Sequence, residues 1–250
     1  MMKVIFNSDD FGYSKGVNLG ILEAYKNGVV RSTTIMAGMP GFYHAVGLAH
    51  ENPGLKIGVH LTLTTGNSVG GVYKTLTDDD GNFLNLAEVE RRAKMGETDL
   101  AEVEKEYEAQ IQKVLAAGLK PDHFDSHHHT HNLPGIVTVF LRLAKKYGVK
   151  VRIYDKGQLS GEFADVKTTG AFYDTFFDEG VTIDNLKHII NACDAESVEI
   201  MCHPAYVDYL LYSLSSYNKK RAYELDILTS PEIMSFIADQ GIELCSFGDI

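Results

Sequence analysis

The most conspicuous chemistry in this sequence is a run of histidines. Residues 123–131 read HFDSHHHTH and hold five of the ten histidines of the chain. Neutral imidazole is the commonest protein ligand of zinc and other transition metals. In an extended chain alternate side chains share one face, so His127, His129 and His131 would point one way and His128 the other. The run predicts a divalent metal site, and the alternative is a purely structural cluster.

The adjacent carboxylates Asp9 and Asp10 are a second candidate. They follow a short apolar segment, residues 3–7, that predicts a buried strand. Two carboxylates at such a position are unfavourable unless a cation or a proton compensates them. One could hold a metal while the other accepts a proton from water. The alternative for an isolated Asp-Asp pair is a solvated turn followed by a helix cap.

Two single histidines lie at or near the ends of other predicted strands. His60 lies within the apolar segment 55–63, where a packed core residue is the alternative to a ligand. His203 follows segment 197–201 and precedes Pro204, which favours extended backbone at that histidine. His203 could be either structural or catalytic. In barrels the chemistry gathers at the C-terminal ends of the strands, so these histidines would meet the other candidates on one rim.

Strand and helix patterns alternate along the whole chain. This order predicts one α/β domain over residues 1–250, with a parallel sheet, right-handed crossovers and barrel closure. Two irregular segments, 64–85 and 155–180, are predicted to lie over the site, the first as a substrate lid. The predicted strands are 3–7, 29–36, 55–63, 121–125, 149–153, 197–201 and 242–245, and the predicted helices are 15–27, 43–51, 98–117, 133–147, 182–193, 217–227 and 231–239.

The composition argues against several classes of partner. The 250 residues are 44% hydrophobic and carry a formal net charge of −11, with none of the basic runs that bind nucleic acid or anionic lipid. We therefore expect no nucleic-acid or membrane partner. Cys193, Cys202 and Cys245 are far apart and predict free thiols in a reducing compartment. The N-terminus lacks a signal-peptide pattern and no segment approaches the ~20 apolar residues of a membrane span, so a cytoplasmic location is predicted.

The candidate residues together suit metal-assisted hydrolysis of an amide or ester. One carboxylate and two imidazoles would form an open three-ligand site, a second carboxylate would act as a base, and another histidine would protonate the leaving group. The rivals are an amidohydrolase or phosphoesterase acting on a non-sugar substrate, and a non-catalytic metal- or sugar-binding protein.

Four ordered segments resemble the signatures of the YdjC-like carbohydrate deacetylases, in particular the chitooligosaccharide deacetylase branch, which acts on chitobiose and its phosphate. They are residues 7–12 (NSDDFG), 58–63 (GVHLTL), 123–131 (HFDSHHHTH) and 201–205 (MCHPA). The resemblance implies a distorted (β/α) barrel of the polysaccharide-deacetylase type. It also implies one divalent metal ion, often Mg²⁺, with Zn²⁺, Mn²⁺ and Co²⁺ compatible with mixed nitrogen and oxygen donors. The implied reaction is removal of the N-acetyl group from an N-acetylglucosamine-containing sugar, by a protein that is often a homodimer.

The resemblance also assigns roles to individual residues. It implies that Asp10, His60 and His127 hold the metal. It makes Asp9 the general base and His203 the acid or oxyanion stabiliser. Ser8 stands where the family usually has alanine, beside the paired aspartates.

Four further residues are expected to support these groups. Arg152 is predicted to hold Asp9 by a charge-assisted hydrogen bond, and Asp125 to orient a ligand. His129 and His131 are predicted to support the ligands or to face the substrate. The basic segment 219–221 (KKR) could bind a sugar phosphate or simply form the solvated start of a helix.

Overall fold

A curved parallel sheet forms the centre of the molecule, which we describe from a computed structural model covering residues 2–250. Over these residues the sheet has eight strands in the order β5-β4-β3-β2-β1-β7-β6, with β8 also beside β1. Every ladder between them is parallel. The strands are β1 (Lys3–Phe11), β2 (Ser32–Ile35), β3 (Lys56–Leu61), β4 (His123–Ser126), β5 (Lys150–Val151), β6 (Ala171–Tyr173), β7 (Ser197–Cys202) and β8 (Glu243–Leu244).

Amphipathic helices connect the strands and cover the sheet. Helix α5, for example, buries Ile136, Val139, Phe140 and Leu143 and ends at Gly148, whose φ of 65° is the left-handed conformation that glycine favours. The helices are α1 (Lys15–Lys26), α2 (Phe42–Glu51), α3 (Leu86–Met95), α4 (Leu100–Ala116), α5 (Ile136–Tyr147), α6 (Ile183–Ala192), α7 (Tyr209–Leu214), α8 (Lys219–Leu228) and α9 (Pro231–Asp239).

The predicted strands and helices are confirmed, with three elements missed. Each predicted segment overlaps the corresponding strand or helix. The missed elements are α3, α7 and β6. Strand β6 has three residues and α7 has six, too few for a clear period, and β6 lies in a segment predicted to be irregular. Strand β1 also runs beyond its predicted end at residue 7 as far as Phe11, so Asp9 and Asp10 belong to the strand itself.

The predicted closure of the barrel is incomplete. Among residues 2–250, the edge strands β5 and β6 form no ladder with each other, so the sheet is a half-barrel of the distorted (β/α) type. The backbone N–H of Val151 donates instead to the carbonyl of Lys167, at 3.0 Å, in the segment between these strands. Strand β5 has two residues, which leaves too few backbone groups for a second ladder. None of the helices in the described part of the chain is long and apolar enough to cross a membrane.

Candidate active site

Asp9 and Asp10 are buried at the C-terminal end of the central strand β1, where their exposures are 2% and 0%. The ladder with β2 changes register between Ser8 and Phe11, which marks a bulge. Asp10 has a φ of 71°, a left-handed conformation that costs about 1–3 kcal/mol for a residue other than glycine. Bulges redirect side chains near active sites. The alternative of a solvated turn is therefore wrong.

The carboxylate of Asp10 faces two imidazoles with one of its oxygens. Its Oδ1 lies 2.9 Å from Nδ1 of His127 and 3.3 Å from Nε2 of His60. Neither contact has hydrogen-bond geometry, and Oδ1 has no hydrogen-bond partner within residues 2–250. Ligands bound at 2.0–2.3 Å from one ion lie about 3–3.5 Å apart. The unpartnered oxygen and its two nitrogen neighbours therefore fit a divalent cation.

The ring of His60 is fixed by the neighbouring strands. Its Nδ1 lies 2.7 Å from Oδ1 of Asp125 and 3.2 Å from the hydroxyl of Thr34, which leaves Nε2 to face Asp10. Such a carboxylate partner sets the tautomer and orientation of a metal-binding histidine. Burial lowers the pKa of His60, but the negative charges of Asp125 and Asp9 raise it by more, so that the pKa is about 10. The metal-free site therefore holds a proton that a metal must displace.

The histidine run is a kinked turn and not an extended segment. Within residues 127–132 the 3₁₀ geometry is interrupted at His128 and His129, whose φ values of 54° and 53° are left-handed, so the predicted alternation of faces is wrong. His127 lines the cavity next to Asp10, and His128 and His129 line it beyond. Burial lowers the pKa of His128 to about 3 and that of His129 to about 2, so both rings are neutral at pH 7.

His131 lies away from the cavity. Its ring is fully buried, its Nδ1 is 2.6 Å from the hydroxyl of Ser126, and it packs against Phe140 with ring centroids 4.6 Å apart. Because it does not line the cavity, His131 supports the turn that follows β4 and does not face a substrate.

Asp9 forms a bidentate ion pair with Arg152. Both guanidinium Nη atoms donate to its carboxylate at 2.7 Å. Arg152 is fully buried, donates through Nε to Glu199 at 2.8 Å, and lies 3.2 Å from Asp125. Burial lowers the pKa of Arg152, but the three surrounding carboxylates raise it well above the usual value. Asp9, His60 and Asp125 also bring donor atoms close together, but a cation already lies between these carboxylates, which makes that set unsuitable for a metal.

His203 lies across the cavity from the two imidazoles. Its Nε2 is 3.9 Å from Oδ2 of Asp9, and its Nδ1 is 3.7 Å from Oε1 of Glu224. Glu224 also accepts hydrogen bonds from the backbone N–H of His203 and from the hydroxyl of Tyr217. The rings of Phe177 and Tyr217 each lie 5.6 Å from the imidazole. The ring is therefore confined by aromatic neighbours, with Nε2 towards Asp9.

Arg221 belongs to the site through a contact with Asp10 that the sequence did not indicate. It is 3% exposed, and its Nη2 donates to Oδ2 of Asp10 at 2.7 Å. Burial raises the pKa of Asp10, but the charges of His127 and Arg221 lower it well below the usual range. Arg221 and Asp10 are 211 positions apart, and no local pattern relates two residues at that separation.

The phosphate site proposed for segment 219–221 is not formed as a unit. Arg221 contacts Asp10, whereas Lys220 pairs at 3.2 Å with Glu179, which is 91% exposed. Neither Lys219 nor Lys220 lines the cavity. The three basic side chains therefore do not converge on one anion.

One cavity of about 500 Å³, a volume that suits a small-molecule ligand, is lined by both aspartates together with His60, His127, His203 and Arg221. The second predicted loop contributes Asp174 and Phe177 to its wall, whereas residues 64–85 contribute Thr65 alone. Part of that first loop is held by α4, where Glu106 accepts the backbone N–H groups of Val69 and Gly70 at 2.9 and 2.8 Å. The role of this loop as a substrate lid stays a prediction.

The family model described as YdjC-like protein matches residues 3–239. The chain belongs to the YdjC-like protein family. A relative from Listeria welshimeri, named carbohydrate deacetylase, is 44% identical over 252 residues and covers 100% of both chains. A relative of the same name from Brevibacillus brevis is 43% identical over 258 residues, also with complete coverage of both.

Solved structures place the YdjC-like fold among known architectures. One is the crystal structure of a proposed cellobiose-phosphate cleavage protein from Enterococcus faecalis, whose sequence is 35% identical to this chain. The two structures align with a TM-score of 0.90 over 99% of this chain and 98% of the other. A family 4 carbohydrate esterase from Streptomyces lividans is 15% identical, with a TM-score of 0.53 and coverage of 98% and 91%. The second likeness shows that the two chains share a fold.

Proposed function

We propose that this YdjC-like protein is a metal-dependent carbohydrate deacetylase. Its substrate is a small sugar containing N-acetylglucosamine, such as chitobiose, its 6-phosphate or a short chitooligosaccharide. The names of its full-length relatives support the reaction class, and the site supports hydrolysis. From the resemblance to the YdjC-like carbohydrate deacetylases we also propose that the protein is a homodimer. Sedimentation velocity would test this.

The observation that carries the proposal is that two adjacent carboxylates have different partners, which suit different roles. Asp10 directs one free oxygen at two imidazoles, as a metal ligand does. Asp9 is held by Arg152 and lies 3.9 Å from His203, as an acid–base group does. A protein that only binds metal or sugar has no need of the second carboxylate or of the histidine opposite.

We propose that Asp10, His60 and His127 hold one divalent ion. When bound, the ion polarises the amide carbonyl and makes a nearby water more acidic. The family resemblance favours Mg²⁺, whereas two nitrogen donors among three ligands suit Zn²⁺, Mn²⁺ or Co²⁺. The metal is therefore an explicit variable in the experiment below.

Asp9 and His203 then manage the protons of the reaction. Asp9 accepts a proton from the attacking water while the oxygen of that water adds to the carbonyl carbon of the acetamide. His203 donates a proton to the amide nitrogen, the C–N bond breaks, and the products are acetate and the amino sugar. Arg152 holds both oxygens of Asp9 in place, which keeps the base oriented towards the water. The neutral rings of His128 and His129 line the wall without adding charge.

The experiment incubates the protein, after removal of metals by a chelator, with diacetylchitobiose, its 6-phosphate and diacetylchitotriose. Mg²⁺, Mn²⁺, Co²⁺ and Zn²⁺ are supplied separately, and mass spectrometry detects the loss of one acetyl group. We expect that loss, with one equivalent of acetate, for at least one sugar and one metal. A panel of phosphoesters and non-sugar amides runs in parallel. Turnover of that panel without deacetylation of any sugar would overturn the proposal in favour of a different hydrolase.

A further inference from the structure

The carboxylate of Asp10 has two oxygens in different environments. Oδ1 faces His127 and His60 and accepts no hydrogen bond from the described residues, whereas Oδ2 accepts one from Arg221 at 2.7 Å. Within the described residues, Arg221 is the only hydrogen-bond donor to the side chain of Asp10. The contact with Arg221 therefore determines which oxygen is presented to the imidazoles.

Arg221 is itself held in a defined orientation. Its Nε donates to the backbone carbonyl of Tyr217 at 2.8 Å, and the guanidinium carbon lies 5.5 Å and 5.9 Å from the ring centroids of Tyr217 and Tyr13. Its own backbone carbonyl accepts the N–H of Ala205, two residues beyond His203. Arg221 is thus buried between aromatic rings and tied to the segment that carries the proposed acid.

We propose that Arg221 is a positioning residue that restricts Asp10 to a single ligating oxygen and so pre-organises the metal site. This inference rests on the metal-dependent function proposed above. A planar guanidinium can bond Tyr217 through Nε and Asp10 through Nη2 at the same time, which a lysine ammonium cannot do in the same geometry. The carboxylate is therefore ordered before the metal arrives.

Arg221 has two opposing effects on the affinity of the site for a cation. Its positive charge repels a metal, so removal of that charge alone would tighten binding. Its hydrogen bond orders the ligand, so loss of that bond would weaken binding. Partners that orient a ligand usually change metal affinity or activity by about 10–100-fold. If positioning dominates, both Arg221→Met and Arg221→Lys weaken metal binding.

The test is a titration of the metal-free protein with Co²⁺, whose visible absorption gives the dissociation constant and reports the ligand field. We expect the dissociation constant to rise about 10–100-fold in Arg221→Met and to rise also in Arg221→Lys, with altered Co²⁺ bands in both. Circular dichroism checks the fold of each variant, and the conservative lysine keeps the test valid if the methionine variant does not fold. Lys220→Met is the matched control, because Lys220 lies on the same helix and pairs with an exposed residue.

Two results would overturn the inference. Tighter Co²⁺ binding in Arg221→Met, or wild-type binding and bands in Arg221→Lys, would mean that Arg221 contributes charge and not position. The titration needs no sugar, so it tests this inference independently of the reaction. If the protein binds Co²⁺ but releases no acetate from any sugar, the proposed reaction is refuted and the titration still decides the role of Arg221. Absence of Co²⁺ binding by the wild-type protein would overturn both.

Discussion

Arg152 and Asp9 form a bidentate ion pair inside the half-barrel, with both N···O distances at 2.7 Å and neither side chain more than 3% exposed. The same guanidinium contacts Glu199 and Asp125. One cation therefore compensates carboxylates from three strands, β1, β4 and β7. The pair stabilises the arrangement of the sheet as well as the proposed base.

Replacement of Arg152 by methionine should destabilise the protein strongly. The variant leaves three buried carboxylates without their cation, and removal of one partner of a buried pair costs about 3–5 kcal/mol. Urea unfolding followed by circular dichroism measures the change. Arg142→Met is the control, since Arg142 pairs with Glu104 at the surface, with 52% and 41% of their side chains exposed, and such pairs contribute less than about 1 kcal/mol. Equal losses in the two variants would contradict the central role of Arg152.

Asp9→Asn should remove activity and keep the metal. Loss of a general base lowers kcat by about 10²–10⁴-fold, whereas Asp10, His60 and His127 remain to hold the ion. Acetate release and metal content by mass spectrometry give the two readouts. Asp10→Asn is the comparison and should lose both. Loss of metal from Asp9→Asn would show that the two aspartates share ligation.

Metal binding should tighten as the pH rises from about 7 towards 10. The pKa of His60 in the metal-free protein is about 10, so below that pH a proton must leave the ring when a metal binds. Calorimetry in buffers with different ionisation enthalpies measures the protons released per ion. An affinity independent of pH over this range would mean that His60 does not bind the metal.

The same shift predicts a pH dependence of stability for the metal-free protein. The pKa of His60 is raised on folding from an ordinary value of 6.5 to about 10. Its contribution to stability is therefore fully present below pH 6.5 and is lost as the pH rises towards 10. Urea unfolding of the metal-free protein at pH 6.5 and pH 9.5 should show a lower free energy of unfolding at the higher pH. Saturation with metal should remove most of this difference, because the ring is then unprotonated at both values.

Glu106→Gln should release the loop that precedes α3. Glu106 is fully buried and accepts the N–H groups of Val69 and Gly70. A hydrogen bond to a charged group contributes about 1.5–3 kcal/mol, so hydrogen exchange at these two amides should accelerate at least about tenfold. Glu104→Gln, an exposed change on the same helix, should leave both rates unaltered. Unchanged exchange in Glu106→Gln would show that other contacts hold the loop.

The positions of the strand-end residues could be predicted from the sequence because they depend on local pattern. Apolar runs locate the parallel strands, and parallel strands bring their C-terminal ends together. This was sufficient to place Asp9, Asp10, His60, His127 and His203 around one cavity.

Other features of the site depend on contacts that no local pattern records. The positive φ of Asp10 arises from a bulge that the apolar period does not reveal, and the turn at His128 and His129 overrides the extended backbone assumed from alternation. Arg221 resembles the start of an ordinary solvated helix until the fold brings its side chain to Asp10. Glu199, on β7, becomes recognisable as a partner only when Arg152, the residue that follows β5, reaches it.

The central place of β1 has a consequence for synthesis of the protein. This strand carries both aspartates and pairs with β7 and β8 near the other end of the chain. Arg221 and Asp10 are separated by 211 positions. On the ribosome, the first strand therefore emerges long before β7 and β8, and Asp10 emerges long before Arg221, which pairs with it. The complete surroundings of the two aspartates can form only after nearly all of the described chain has been synthesised.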